Sequence, residues 1–130
     1  MMLLRAFFIF VVMAFPVKAQ ETDIQRVISG QINAFLADDF DTAFTFAAPN
    51  IVRLFGTADR FGTMVQRGYP MVHRPASFRF AKLSDEAGEW LQKVELKDEA
   101  GRLFIAHYVM EQTETGWKIK GVSVSEAPKA

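Results

Sequence analysis

The chain has no cysteine in 130 residues. That excludes disulfides, thiolate metal sites, a cysteine nucleophile and a lipid-modified amino-terminal cysteine. Histidine is nearly as scarce. The two copies, His73 and His107, are far apart and share no helical or strand spacing, so no metal or other cofactor is expected. An excess of charge of one sign is also missing, with 15 basic against 15 acidic side chains, so nothing pulls the chain toward nucleic acid. No glycine-rich phosphate loop follows a strand pattern, and no serine stands in a nucleophile elbow. There is no repeat, low-complexity segment or internal linker, and 130 residues leave room for one domain. Long hydrophobic runs are absent. The longest, residues 6–15, falls short of the roughly 20 residues a membrane-spanning helix takes.

What is present begins with a targeting pattern. Arg5 precedes that apolar run, and Pro16, Val17, Lys18 and Ala19 follow it, with small residues three and one before a break after Ala19. This predicts a signal peptide over residues 1–19, cleaved after Ala19, and a periplasmic or secreted protein with no membrane attachment after cleavage. An uncleaved anchor is the rival reading. Removing Arg5 and Lys18 leaves 13 basic against 15 acidic side chains. The remaining domain, residues 20–126 with a tail at 127–130, is large enough to stand without disulfides even in an oxidising compartment.

Phenylalanine is abundant, with 13 copies, and Phe35, Phe40, Phe44, Phe46, Phe55 and Phe61 fall on predicted short helices. Thr22 and Gln25 read as a capping box opening a helix of about 14 residues. Its apolar stripe is Ile24, Val27, Ile28, Ile32, Phe35 and Leu36. Gly30 within it suits close packing. Asp39 caps a second helix, Pro49 starts a third that Gly56 ends, and Thr57 caps a fourth that closes at Gly68. Phe35, Phe44 and Phe61 are expected to be nearly fully buried. Residues 69–75 read as extended, carrying Tyr69, Met71 and His73 on one side and Arg74 on the other.

After Pro75 the period becomes alternating. Strands are predicted around Phe78–Phe80, Trp90–Leu96, Leu103–Met110 and Trp117–Val124, with turns at 85–88, 98–101 and 114–116. The third is apolar on both faces and should be central. At Gly121 the apolar phase shifts from Trp117 and Ile119 to Val122 and Val124, which suggests a bulge. The fold class is α+β, with amino-terminal helices packed on a curved four-stranded antiparallel sheet that forms a cone.

This order, ending in the stretch from Gly116 to Val122, resembles the nuclear-transport-factor-like (cystatin-like) superfamily. The stretch from Ala34 to Asp39, followed by Ala43-Phe44, Phe46-Ala47, Ala48-Pro49-Asn50-Ile51, Phe55-Gly56, Phe61, Met64-Val65, Gly68-Tyr69-Pro70 and Arg74-Pro75, is similar to a bacterial family, the domain of unknown function numbered 4864. The resemblance covers nearly all of the mature chain. It implies the cone fold and carries no assigned chemistry. Ketosteroid isomerase, of the same superfamily, uses a carboxylate and a tyrosine in the cone mouth. No inward strand position predicted here is acidic, so those roles do not carry over and no catalytic residue is assigned.

Three constellations could carry chemistry. Tyr69 with His73 and Arg74 could bind or protonate a small ligand. The structural alternative packs Tyr69 at a helix end and pairs Arg74 with Asp38 or Asp39. Gln92 and His107 are placed on inward strand faces with Trp90. If Leu96 lies near Leu103, Gln92 meets His107 across the ladder, as a ligand anchor or as a structural bond. Asp38, Asp39 and Asp41 could do acid–base work or bind calcium, but such a cluster at a helix junction more often caps the next helix. The expected ligand-binding set is therefore Trp90, Gln92, His107 and Tyr69. The leading expectation is binding of a small apolar or amphipathic ligand, or of a protein partner, without turnover. The alternatives are a lyase or isomerase using His107 or Tyr69, and an interaction module that forms a homodimer through its outer sheet face.

Overall fold

The structure is a computed structural model that describes residues 17–128. Residues 1–16 of the expected signal peptide lie outside the described residues. The elements run α1 (Val17–Leu36), α2 (Phe40–Thr45), α3 (Pro49–Phe55), α4 (Ala58–Gly68), α5 (Pro70–His73), β1 (Ser77–Glu86), β2 (Glu89–Lys97), β3 (Leu103–Thr113) and β4 (Gly116–Glu126). The strands form one antiparallel meander in the order β1-β2-β3-β4, with the helices on one face.

Helix α1 is already formed at Val17, so Thr22 is not its cap. Thr22 donates its hydroxyl to the Lys18 carbonyl at 3.0 Å, and Gln25 bonds Glu21 at 3.2 Å, both within the helix. Lys18, Ala19, Gln20 and Glu21 are sound helix formers, and nothing there stops propagation. The expected stripe is buried at Ile24, Ile28, Ile32 and Phe35, whereas Leu36 at the helix end is exposed. Gly30 lets the Phe46 ring lie where a β-carbon would come within 2.6 Å of it.

The other caps form as read. Asp39 accepts from the Thr42 backbone N–H at 3.1 Å and Thr57 from that of Arg60 at 3.2 Å. Pro49 starts α3 without needing its missing donor, and Gly56 ends it at φ 78°. The expected extended segment at 69–75 is instead interrupted by the single turn α5. Pro70 fits a first helical position, and the Val72, His73 and Arg74 N–H groups bond back to Tyr69 and Pro70. Phe61 is the hub of the aromatic cluster, 5.8 Å from Phe35, 5.2 Å from Phe44 and 5.8 Å from Phe55 between ring centres. Phe35 and Phe61 are buried. Phe44 is only half-buried, because on the short α2 it is Ala43 that takes the inward position.

The sheet carries one correction and one confirmation. Lys97 pairs with Leu103, and the turn between them holds five residues, closed by the Asp98 carboxylate on the Arg102 N–H at 2.8 Å. The expected register, Leu96 beside Leu103, is off by one. A slip of one residue exchanges the faces of a strand. The inner face is therefore Gln92, Val94 and Leu96 against Tyr108, Ala106 and Phe104, all buried. The expected bulge at Gly121 is present: Val109 pairs with Gly121 and Met110 with Ile119, so Lys120 is the extra residue.

Candidate functional site: an apolar cavity between the helices and the fourth strand

The inner face of the sheet is filled by α1, so the space in this fold lies to one side of it. A cavity of about 370 Å³ opens between the helices and the bulged part of β4. Its floor is Gln31 and Phe35 of α1. Phe61, Met64 and Val65 of α4 form one wall, continued by Tyr69 and by Val72 of α5. Ile119, Gly121 and Val122 of β4 form the facing wall, and Ile51, Leu54 and Phe55 of α3 close the rim. Leu54 is 72% exposed and marks the mouth.

Local chemistry explains why α3 stands there. The segment between α2 and α3 is stitched to the edge of β4. Ile119 donates its N–H to the Phe46 carbonyl, and Ala48 donates to the Ile119 carbonyl, both at 2.8 Å. The Asn50 amide donates to the Lys120 carbonyl at 3.1 Å, and the Lys118 ammonium to the Thr45 carbonyl at 2.8 Å. These bonds hold α3 against the bulge while none of its residues is fully buried.

Among the described residues two polar side chains reach this lining. Tyr69 is half-buried. Gln31 is 3% exposed and donates Nε2 to the Ala43 carbonyl at 3.2 Å. That carbonyl can only accept, which fixes the orientation of the amide and leaves its oxygen without a partner among the described residues.

Of the four residues expected to bind ligand, Tyr69 alone lines the cavity. Trp90 packs edge-on against Trp117, 5.8 Å between ring centres, outside the lining. His107 pairs with Lys93 on the outer face, so it does not meet Gln92. Gln92 is fully buried but fully employed. Its Nε2 donates to Ala81 at 3.1 Å and Lys93 at 2.9 Å, and its oxygen accepts from Gln25 at 3.4 Å. Ala81 belongs to the pair of residues displaced by the irregularity between Phe80 and Leu83 of β1, so Gln92 ties a bulge. Of the two readings of Gln92, this geometry matches the structural bond. Gln31 was missed because it stands on a helix among polar neighbours; its spacing from Ile24 and Ile28, seven and three residues, was the available signal.

The remaining constellation is a surface clamp. Asp38 takes φ 53° after α1 and accepts from His73 at 2.8 Å and from Arg74 at 2.5 Å. Arg74 also caps the Leu36 carbonyl at 3.2 Å. The hydrogen bond from His73, supported by Arg74, holds the Asp38 carboxyl below its usual range. Asp39 is likewise lowered by the Thr42 hydroxyl and backbone N–H. The Asp38–Arg74 pairing is the structural alternative weighed from sequence. Among the described residues no three potential ligands gather to hold a metal ion, and no helix is long and apolar enough to cross a membrane.

Residues 17–130 match the model of a family described as Domain of unknown function (DUF4864). A comparison with curated proteins returns no match. Among solved structures, an NTF-2-like protein of unknown function from Silicibacter pomeroyi DSS-3 is similar with a TM-score of 0.60 at 14% identity, over 85% of this chain and 98% of that one. An NTF-2-like protein of unknown function from Burkholderia xenovorans LB400 gives 0.49 at 16% identity, over 85% and 88%. The first likeness, with the helices on the meander, establishes the NTF-2-like fold.

Proposed function

The chain belongs to the DUF4864 family, and from the cavity in its NTF-2-like fold we propose an exported single-domain protein that binds a small apolar or amphipathic molecule without turnover. The observation that carries this is the 370 Å³ space itself, lined almost wholly by aromatic and aliphatic side chains around one buried amide. Ligand sites are concave, mostly apolar and of about 300–1,000 Å³, with a few placed polar groups. Among the described residues Tyr69 is the one titratable side chain in the lining, whereas acid–base turnover calls for a positioned group matched to a second one. Export fits the packing of α1. Cleavage after Ala19 removes Val17, Lys18 and Ala19, none of which is buried, and leaves the stripe from Ile24 intact.

Native mass spectrometry of the protein isolated from its own cell envelope tests the reading. A chain beginning at Gln20 and carrying a small-molecule mass is expected, and Val122→Trp, which fills the cavity, should lose that mass while staying folded. A soluble chain beginning at Met1 would overturn export. A variant that keeps the mass would move the site elsewhere.

A second reading rests on the outer sheet face, where Leu91, Ile105 and Val109 are half-buried and Leu103 is 52% exposed. This central apolar strip, beside Lys93, Glu95 and His107, suits a second copy of the chain. Sedimentation of Ile105→Glu against the unaltered protein tests it, a dimer becoming a monomer; a monomer in both would overturn it.

A further inference from the structure

We infer that the cavity selects an uncharged hydrocarbon bearing a hydroxyl group, held by the free oxygen of Gln31. This rests on the cavity being a ligand site at all and names the class of ligand. The first argument is what the lining lacks. Among the described residues it contains no lysine, arginine, histidine, aspartate or glutamate. A carboxylate, phosphate or ammonium entering it would lose its water and meet no opposite charge, so charged amphiphiles are disfavoured. The second argument is what the one buried polar side chain offers. Gln31 is 97% buried by its 3% exposure, and its Nε2 is committed to the Ala43 carbonyl at 3.2 Å. What remains is an acceptor oxygen with its second N–H alongside. A hydroxyl is the small group that donates to the first and accepts from the second. A ketone or ether could not donate, and would leave that oxygen without a partner.

Size sets a lower bound. At a water molecule's share of about 30 Å³ of liquid, 370 Å³ holds roughly 12 non-hydrogen atoms or more. A medium-chain or terpenoid alcohol meets both conditions, with its hydrocarbon against Phe61, Met64 and Val122 and its hydroxyl at Gln31.

The test compares three probes of one chain length, 1-decanol, decanoate and decylammonium, by calorimetry on the mature protein near neutral pH, where the acid is ionised and the amine protonated. Decanol is expected to bind at least about tenfold more tightly than either ion, which is about 1.4 kcal/mol. Gln31→Leu should reduce decanol binding by about tenfold and leave the weak binding of decanoate unchanged. Should that variant fail to fold, because it also loses the bond to Ala43, the three-probe comparison on the unaltered protein still decides. Equal or tighter binding of an ion would overturn the assigned ligand class and leave the cavity as a ligand site. Decanol binding that is preferred but untouched by Gln31→Leu would overturn the anchor. Binding of none of the three would overturn the cavity reading itself.

Discussion

Replacing Gln92 by leucine separates architecture from ligand binding. The side chain is fully buried, and its amide bonds Ala81 at 3.1 Å, Lys93 at 2.9 Å and Gln25 at 3.4 Å. Leucine has nearly the same bulk, so little cavity forms. What changes is that two part-buried carbonyls lose a donor. Each group left unpaired costs about 1–3 kcal/mol, and the weaker bond to Gln25 adds little. The added apolar burial offsets about 1 kcal/mol. The net expectation is a loss of about 1–5 kcal/mol out of a total of roughly 5–15 kcal/mol. In a urea titration the midpoint should fall with the slope unchanged, the mark of altered stability rather than altered compactness. Affinity for decanol, measured per folded molecule, should stay the same, because Gln92 is not in the lining. A loss below about 1 kcal/mol would mean the bulge does not need its tie. Weakened binding with unchanged stability would restore Gln92 as a ligand anchor and refute the reasoning.

Two further outcomes follow from the charge and polarity of single groups. Tyr108 is fully buried, its hydroxyl has no partner among the described residues, and burial pushes its pKa up, so Tyr108→Phe should stabilise by about 1 kcal/mol in thermal or urea unfolding. The same variant should lose less stability as pH rises through about 10, where the unfolded tyrosine ionises and the folded one does not. Asp38 is depressed in the folded state, so its contribution is present above about pH 4 and is lost as pH falls through its lower folded value; Asp38→Asn, which tolerates the left-handed backbone, should flatten that part of the acid limb in pH-dependent unfolding.

How much of this was legible depended on whether the determining contacts are local. Asp39 and Thr57 bond N–H groups three residues away, and Gly56 needs only its own backbone freedom, so helix starts and stops could be read directly. The α5 turn could not be, because four residues that begin on a proline carry no periodicity. The β2–β3 register failed for a physical reason. Arg102 belongs to the turn, where the Asp98 carboxylate takes its N–H, and counting it into the strand moves every β3 side chain to the wrong face. Alternation would normally expose such a slip. Here Leu103, Ile105 and Val109 on one face are as apolar as Phe104, Ala106 and Met110 on the other, so both registers satisfy it.

That ambiguity also explains why the site was sought in the wrong place. A cone with an open mouth was expected, with Trp90, Gln92 and His107 on its wall and Tyr69 near the rim. In the folded chain the middle is closed, because Ile24, Ile28 and Ile32 of α1 join Val94, Leu96, Ala106 and Tyr108 in one buried core. The apolar cavity lies where α1 gives way to shorter elements. There β4 carries an extra residue at Lys120, and a bulge bends its strand and strengthens the local twist. Short α3 spans the bend by bonds to the Ile119 and Lys120 carbonyls rather than by burying a face of its own. The phase change at Gly121, read from sequence as a bulge or bend, was thus the nearest sequence signal to the cavity. The bend turns Ile119, Gly121 and Val122 toward the helices without enough helix to fill the gap, and Gln31 is the buried polar group left facing it.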